Sequence, residues 1–169
     1  MEQSSDFMLR FYDYDRTLCV HNYPAWYQAN DNYEIECVTE LAHQAELHEN
    51  DRPLPCMQWY AMKCYRQGDK LFCLTHEIFS LRDELKKNFI ARWYAQSPMK
   101  YLSTNTPEHK IDMIKAIAKI EGVPLSRCEI VDDKMETVYL ATREGIIGTH
   151  LSNIALLYEE LNTEQLEGF

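Results

Sequence analysis

The sequence is short of glycine, with five residues in all, so few of its turns rely on a residue that visits positive φ freely. It has no internal repeat and no low-complexity segment, which leaves a single globular unit with one core as the expectation. None of its six cysteines forms a C-x-x-C pair, and no His/Cys spacing suits zinc. No signal peptide opens the chain and no apolar run is long enough to span a bilayer. A cytoplasmic, reduced protein without a disulfide framework is expected. Basic charge is missing too. At a net charge of −10 there is no Lys/Arg footprint for a nucleic-acid backbone and no attraction to a membrane surface, so neither partner is expected.

What the chain does have is an alternation of short apolar runs with helical periods. Phe7 to Tyr12 reads as a first strand, with Phe7, Leu9 and Phe11 on one face and Met8, Arg10 and Tyr12 on the other. Arg10 is awkward for a strand covered on both sides. A loop containing Trp26 and Tyr27 follows, then a helix over Tyr33 to His48. Pro53 and Pro55 break the pattern before a second helix, about Cys56 to Arg66, which stops at Gly68. Lys70 to Leu74 reads as the next strand. A helix from Ser80 to about Tyr94 follows, with Leu85 and Phe89 on its inner side. Met99 to Ser103 is a short strand, suited to a sheet edge. Thr106-Pro107 supplies a hydroxyl N-cap and a proline at the first helical position. Cys128 to Val131 is a strand, Met135 to Arg143 a helix and Ile146 to Leu151 a last strand, followed by a helix over Ile154 to Leu161. Strand and helix in turn imply a parallel sheet covered on both faces.

Ligands of such sheets bind at the carboxyl ends of the strands, so the residues just beyond each strand matter most. The first strand delivers Asp13 and Asp15, the second Thr75, and the fourth Asp132 and Asp133; Lys110 lies near the start of the helix after the third. Singly, each has an ordinary reading as a turn former, a cap or a solvated lysine. Together, the crowded carboxylates repel one another. A hard divalent cation such as Mg²⁺, which takes oxygen ligands and often works with phosphate, resolves that conflict. Phosphoryl transfer needs this equipment: an in-line nucleophile, neutralised equatorial oxygens and a proton for the leaving group.

The order D-x-D-x-T, strand-end Thr, helix Lys and strand-end Asp-Asp resembles the haloacid dehalogenase-like (HAD) superfamily. The four motifs are DYDRT (Asp13 to Thr17), LFCLT (Leu71 to Thr75), Lys110 in NTPEHK, and EIVDD (Glu129 to Asp133). The resemblance implies an α/β, Rossmann-like three-layer sandwich with a mostly parallel five-stranded sheet. It also implies a small helical cap insertion between the first two strands. One domain over 1–169 is expected, with about 20–69 forming a reduced cap and the crossover helix. It further implies a Mg²⁺-dependent phosphatase acting on a small phosphomonoester. Asp13 would be the nucleophile and Asp15 the general acid/base. The metal would be held by the Asp13 carboxylate, the Asp15 carbonyl and Asp132, with Asp133 binding directly or through water. Thr75 and Lys110 would hold the phosphoryl group.

Arg16 departs from the glycine often found at its position in the family. It either crowds the entrance, or recognises a second anionic group of the substrate, or points to solvent. Tyr14 either touches the leaving group or is buried. His76 is either a substrate contact or part of a helix-entry turn. A short cap leaves the site open to large substrates or to closure by a second subunit, for which a homodimer is one arrangement. Two other functions compete with the phosphatase: a catalytically silent HAD-like scaffold and a receiver-like phospho-binding module. In receivers the paired acids come early and the phosphorylated Asp later, the reverse of the order here.

Overall fold

A computed structural model of the chain describes residues 6–21, 50–77, 80–104, 106 and 108–167. The expected helix over Tyr33 to His48, together with Trp26 and Tyr27, lies outside the described residues. In chain order the elements are β1 (Leu9–Tyr12), β2 (Cys19–Val20), β3 (Arg52–Pro53), α1 (Pro55–Arg66), β4 (Lys70–His76), α2 (Ser80–Trp93), β5 (Lys100–Thr104), α3 (His109–Glu121), β6 (Cys128–Asp132), α4 (Met135–Arg143), β7 (Ile147–His150) and α5 (Leu151–Glu167).

β1 lies at the centre of a five-stranded sheet, ordered β5-β4-β1-β6-β7, in which every pairing is parallel. The alternation along β1 sorts its side chains between two layers. Leu9 and Phe11 join Phe72, Leu74 and Ile130 beneath Ile111, Ile114 and Ala118 of α3 and Ala141 of α4. Tyr12, with Cys73 and Val131, faces Met57, Ala61 and Cys64 of α1, Phe89 and Ile90 of α2, and Ile154 of α5. The result is an α/β three-layer sandwich of Rossmann type.

Arg10 sits on that second face without breaking it, because the sequence also supplies its counter-charges. Its guanidinium reaches Asp69 at 2.8 Å and Glu129 at 2.5 Å, and Tyr60 Oη donates to Glu129 at 2.9 Å. A buried cation is tolerated only when paired in this way.

Several boundaries move. β4 runs on through Thr75 and His76, where Leu74 was the expected end, because β5 pairs with it to its last residue. α3 starts at His109 rather than at Thr106-Pro107, and Glu108 holds the N-cap position without a side-chain cap bond. In α2, Phe89 and Ile90 are buried together with Lys86, while Leu85 is only partly so. The last helix begins at Leu151 and runs to Glu167, longer at both ends than expected. β2 and β3 pair antiparallel, with Cys19 opposite Pro53, and so bring residues 20 and 52 side by side at the rim. Among the described residues no helix is long and apolar enough to cross a membrane.

Candidate active site

The carboxyl ends of β1 and β6 are joined before any side chain is considered: the Asp13 amide donates to the Val131 carbonyl at 3.0 Å. This fixes Asp13 beside Asp132, and both are buried. Lys110, reaching in from the first turn of α3, donates to Asp13 Oδ1 at 2.6 Å and to Asp132 Oδ2 at 3.0 Å. Burial works against the Lys110 charge, but the two carboxylates more than offset it and raise its pKa. Burial also raises the Asp13 carboxyl, with Asp132 and Asp15 adding repulsion and Lys110 opposing. A carboxylate so poorly solvated is a stronger nucleophile than one in water.

Past Asp13 the chain turns sharply. The Tyr14 carbonyl accepts from the amides of Thr17, Leu18 and Cys19. The turn places Arg16 at φ 59°, in the left-handed region that favours glycine and costs other residues about 1–2 kcal/mol. The guanidinium stays largely exposed, 3.3 Å from Asp133 Oδ2. Of the two readings of Tyr14 the structure shows the buried one: its hydroxyl donates to Asp51 at 3.1 Å and its ring packs in the core against Phe89. His76 is exposed at the end of β4.

Asp15 is gripped on both oxygens. His21 Nε2 lies 3.1 Å from Oδ1, and Lys86 Nζ lies 2.9 Å from Oδ2. Each cation is backed by a buried acid, His21 by Asp51 at 2.8 Å and Lys86 by Glu77 at 3.0 Å. Burial alone would raise the Asp15 pKa; the hydrogen bonds from His21 and Lys86 win and hold it far below the usual carboxylate range. Burial would lower the His21 pKa, yet its two carboxylate partners push it up to about 12.

The structure therefore brings together Asp13, Asp15, Thr75, Lys110, Asp132 and Asp133, as expected from their strand ends. Lys86, Glu77, His21 and Asp51 were not expected there as a set. Lys86 had a signal: it lies three and four residues before Phe89 and Ile90, a lysine on the buried stripe of its helix. Asp51 had none, since it looks like one more polar residue in a loop.

Oxygens of Asp13, Asp132 and Asp133 lie within 4.8 Å of one another, an all-oxygen set that suits Mg²⁺. Asp133 Oδ1 is buried and has no hydrogen-bond partner among the described residues, which fits a place reserved for a cation. Cys19, His21 and Asp51 also approach one another, but His21 and Asp51 are hydrogen-bonded to each other, and Asp51 accepts from Tyr14 as well.

Neither a protein-family model nor a curated protein matches the sequence. Solved structures do match the fold. D,D-heptose 1,7-bisphosphate phosphatase from Burkholderia thailandensis superposes with a TM-score of 0.55 at 11% identity, over 82% of this chain and 74% of that one. A phospho-aspartyl intermediate analogue of phosphoserine phosphatase gives 0.53 at 12%, over 85% of each. A HAD-family enzyme from Bacteroides thetaiotaomicron, an aspartate-to-alanine mutant in complex with magnesium and inorganic phosphate, gives 0.52 at 11%, over 85% and 92%. This chain shares its α/β three-layer fold with these solved structures.

Proposed function

We propose that this protein is a Mg²⁺-dependent phosphomonoester hydrolase that works through an aspartyl-phosphate on Asp13. The observation that carries the reading is the buried Asp13–Lys110–Asp132 cluster, with Asp15 and Thr75 beside it at one sheet edge. An Asp13 oxygen attacks phosphorus, the bond from phosphorus to the leaving oxygen breaks, and Asp15, ionised at rest, passes to that oxygen the proton held by its partner His21. Asp15 then takes a proton from water, which attacks the same phosphorus; the bond to Asp13 breaks and inorganic phosphate leaves. Thr75 and Lys110 hold the phosphoryl oxygens and balance charge on them. Asp13, Asp132, Asp133 and the Asp15 carbonyl would hold Mg²⁺, which when bound supplies further neutralisation of the phosphoryl group. Arg16, largely exposed at its turn, is the residue proposed to contact a second anionic group of the substrate, and His76, exposed at the end of β4, is proposed as a further substrate contact. The substrate is taken to be a small phosphorylated molecule, in keeping with the heptose bisphosphate and phosphoserine phosphatases that share the fold.

The test is hydrolysis of an aryl phosphate with and without Mg²⁺. Wild-type turnover should require the metal, and Asp13→Asn should lower kcat at least about 1,000-fold, with an unchanged circular dichroism spectrum. Wild-type rates in the variant would exclude the mechanism.

A further inference from the structure

Lys86 is among the most deeply buried residues of the protein, at 1% exposure. An ammonium has three donors and no lone pair. Here each donor is matched: Asp15 Oδ2 at 2.9 Å, Glu77 Oε2 at 3.0 Å and Thr75 Oγ1 at 3.3 Å. With its donors taken, Lys86 has none left for a substrate. Its effect on Thr75 is directional. The Thr75 hydroxyl cannot donate to an ammonium, so it must accept from Lys86, and its single proton is turned elsewhere. Thr75 is the residue proposed above to donate a hydrogen bond to the phosphoryl group. Glu77, itself buried, supplies the charge that makes a lysine tolerable at this depth.

We infer that Lys86 is a positioning residue: by filling an acceptor site of Thr75, it commits the Thr75 proton to the phosphoryl oxygen, and Glu77 holds Lys86 in that role. The inference rests on the phosphatase reading and adds a second lysine to it. Lys110 meets the reacting carboxylate, whereas Lys86 acts one step removed, through Thr75, while also fixing one oxygen of Asp15. It ties the ends of β1 and β4 to α2 through a single atom.

The experiment is a double-mutant cycle read by binding of inorganic phosphate in the presence of Mg²⁺, alongside kcat and KM for an aryl phosphate. The first arm is Lys86→Met with Glu77→Gln, which removes the pair without changing the net charge. The second is Thr75→Val, and the third combines all three substitutions. The Lys86/Glu77 variant and Thr75→Val should each weaken phosphate binding about 10- to 100-fold, the scale of one hydrogen bond to a charged group. The combined variant should be within about threefold of Thr75→Val alone, because the two act through one proton. Losses that multiply would overturn the inference, as would a Lys86/Glu77 variant that binds phosphate like the wild type. Lys86→Met with Glu77→Leu runs in parallel, so that a folding defect in one pair does not decide the outcome. A wild type that neither turns over nor binds phosphate with Mg²⁺ rejects the phosphatase reading and this inference together; normal wild-type behaviour with a multiplicative cycle rejects this inference alone.

Discussion

Asp15 is flanked by two cations that respond to pH in opposite windows from Asp15 itself. The His21 pKa is raised from 6.5 to about 12. The stability this pairing contributes is therefore fully present below about 6.5 and is lost as pH rises through about 12. The Asp15 pKa is depressed, so its contribution is present above its ordinary value of 3.8 and lost as pH falls. Between these limits both charges are in place. The expected result is that wild type exceeds His21→Gln in thermal stability most clearly near pH 5 to 6, and that the gap narrows steadily towards pH 10. A gap that widens with pH would show His21 to be neutral in the fold. Residues such as Asp13, Thr75 and Asp132 were legible in the sequence because the end of an apolar run states where a side chain emerges. His21 and Asp51 stand 30 positions apart in the chain and meet at 2.8 Å. Nothing local encodes that meeting, since both are polar residues in segments without a period. The left-handed turn at Arg16 was legible only indirectly, as a non-glycine where the family often has glycine.

Among the elements, β1 shows how a strand that breaks its own pattern is repaired by its neighbours. Arg10 is part-buried on an otherwise apolar face, and its partners come from the residue before β4 and from β6. Glu129 in turn accepts from Tyr60 of α1 and from Thr149 of β7 at 2.7 Å. One cation thus ties three strands and a helix together. Arg10→Met would leave Asp69 and Glu129 at depth without their counter-charge, and about 3–5 kcal/mol of stability should be lost, read from the urea midpoint. Substituting all three, Arg10→Met with Asp69→Asn and Glu129→Gln, should recover part of it; no recovery would mean that the loss came from packing and not from stranded charge. The element order and the parallel sheet follow from the alternation of periods, which long-range contacts do not alter. The pairing of β2 with β3 was invisible, because two-residue strands carry no alternation. The late start of α3 is a local preference overruled: Thr106-Pro107 has the composition of a helix start, yet the helix begins at His109, one residue before Lys110.

For the whole molecule the governing quantity is charge. The chain carries −10 at neutral pH, and part of that excess is concentrated at one sheet edge, where Asp13, Asp132 and Asp133 converge. Burial raises the Asp133 carboxyl, with Asp132 adding repulsion and Arg16 opposing. The fold therefore disfavours the charge on this side chain, relative to the unfolded chain, when no cation shares the site. Two consequences follow for Asp133→Asn. Without added metal the variant should be at least as stable as the wild type, because a repelled buried charge has been replaced by a neutral amide of the same shape. With Mg²⁺ the wild type should gain stability by mass action, about 2.7 kcal/mol at a hundredfold excess over Kd. For a domain of this size that corresponds to roughly 5–10 °C in Tm. The variant should gain little beyond the general effect of ionic strength. Thermal melts in EDTA, in Mg²⁺, and in NaCl at matched ionic strength separate the two contributions. Screening of the net charge acts on both proteins alike, whereas a bound cation acts on the one that keeps its ligand. Equal Mg²⁺ shifts in wild type and Asp133→Asn would place the cation elsewhere and remove Asp133 from the metal site.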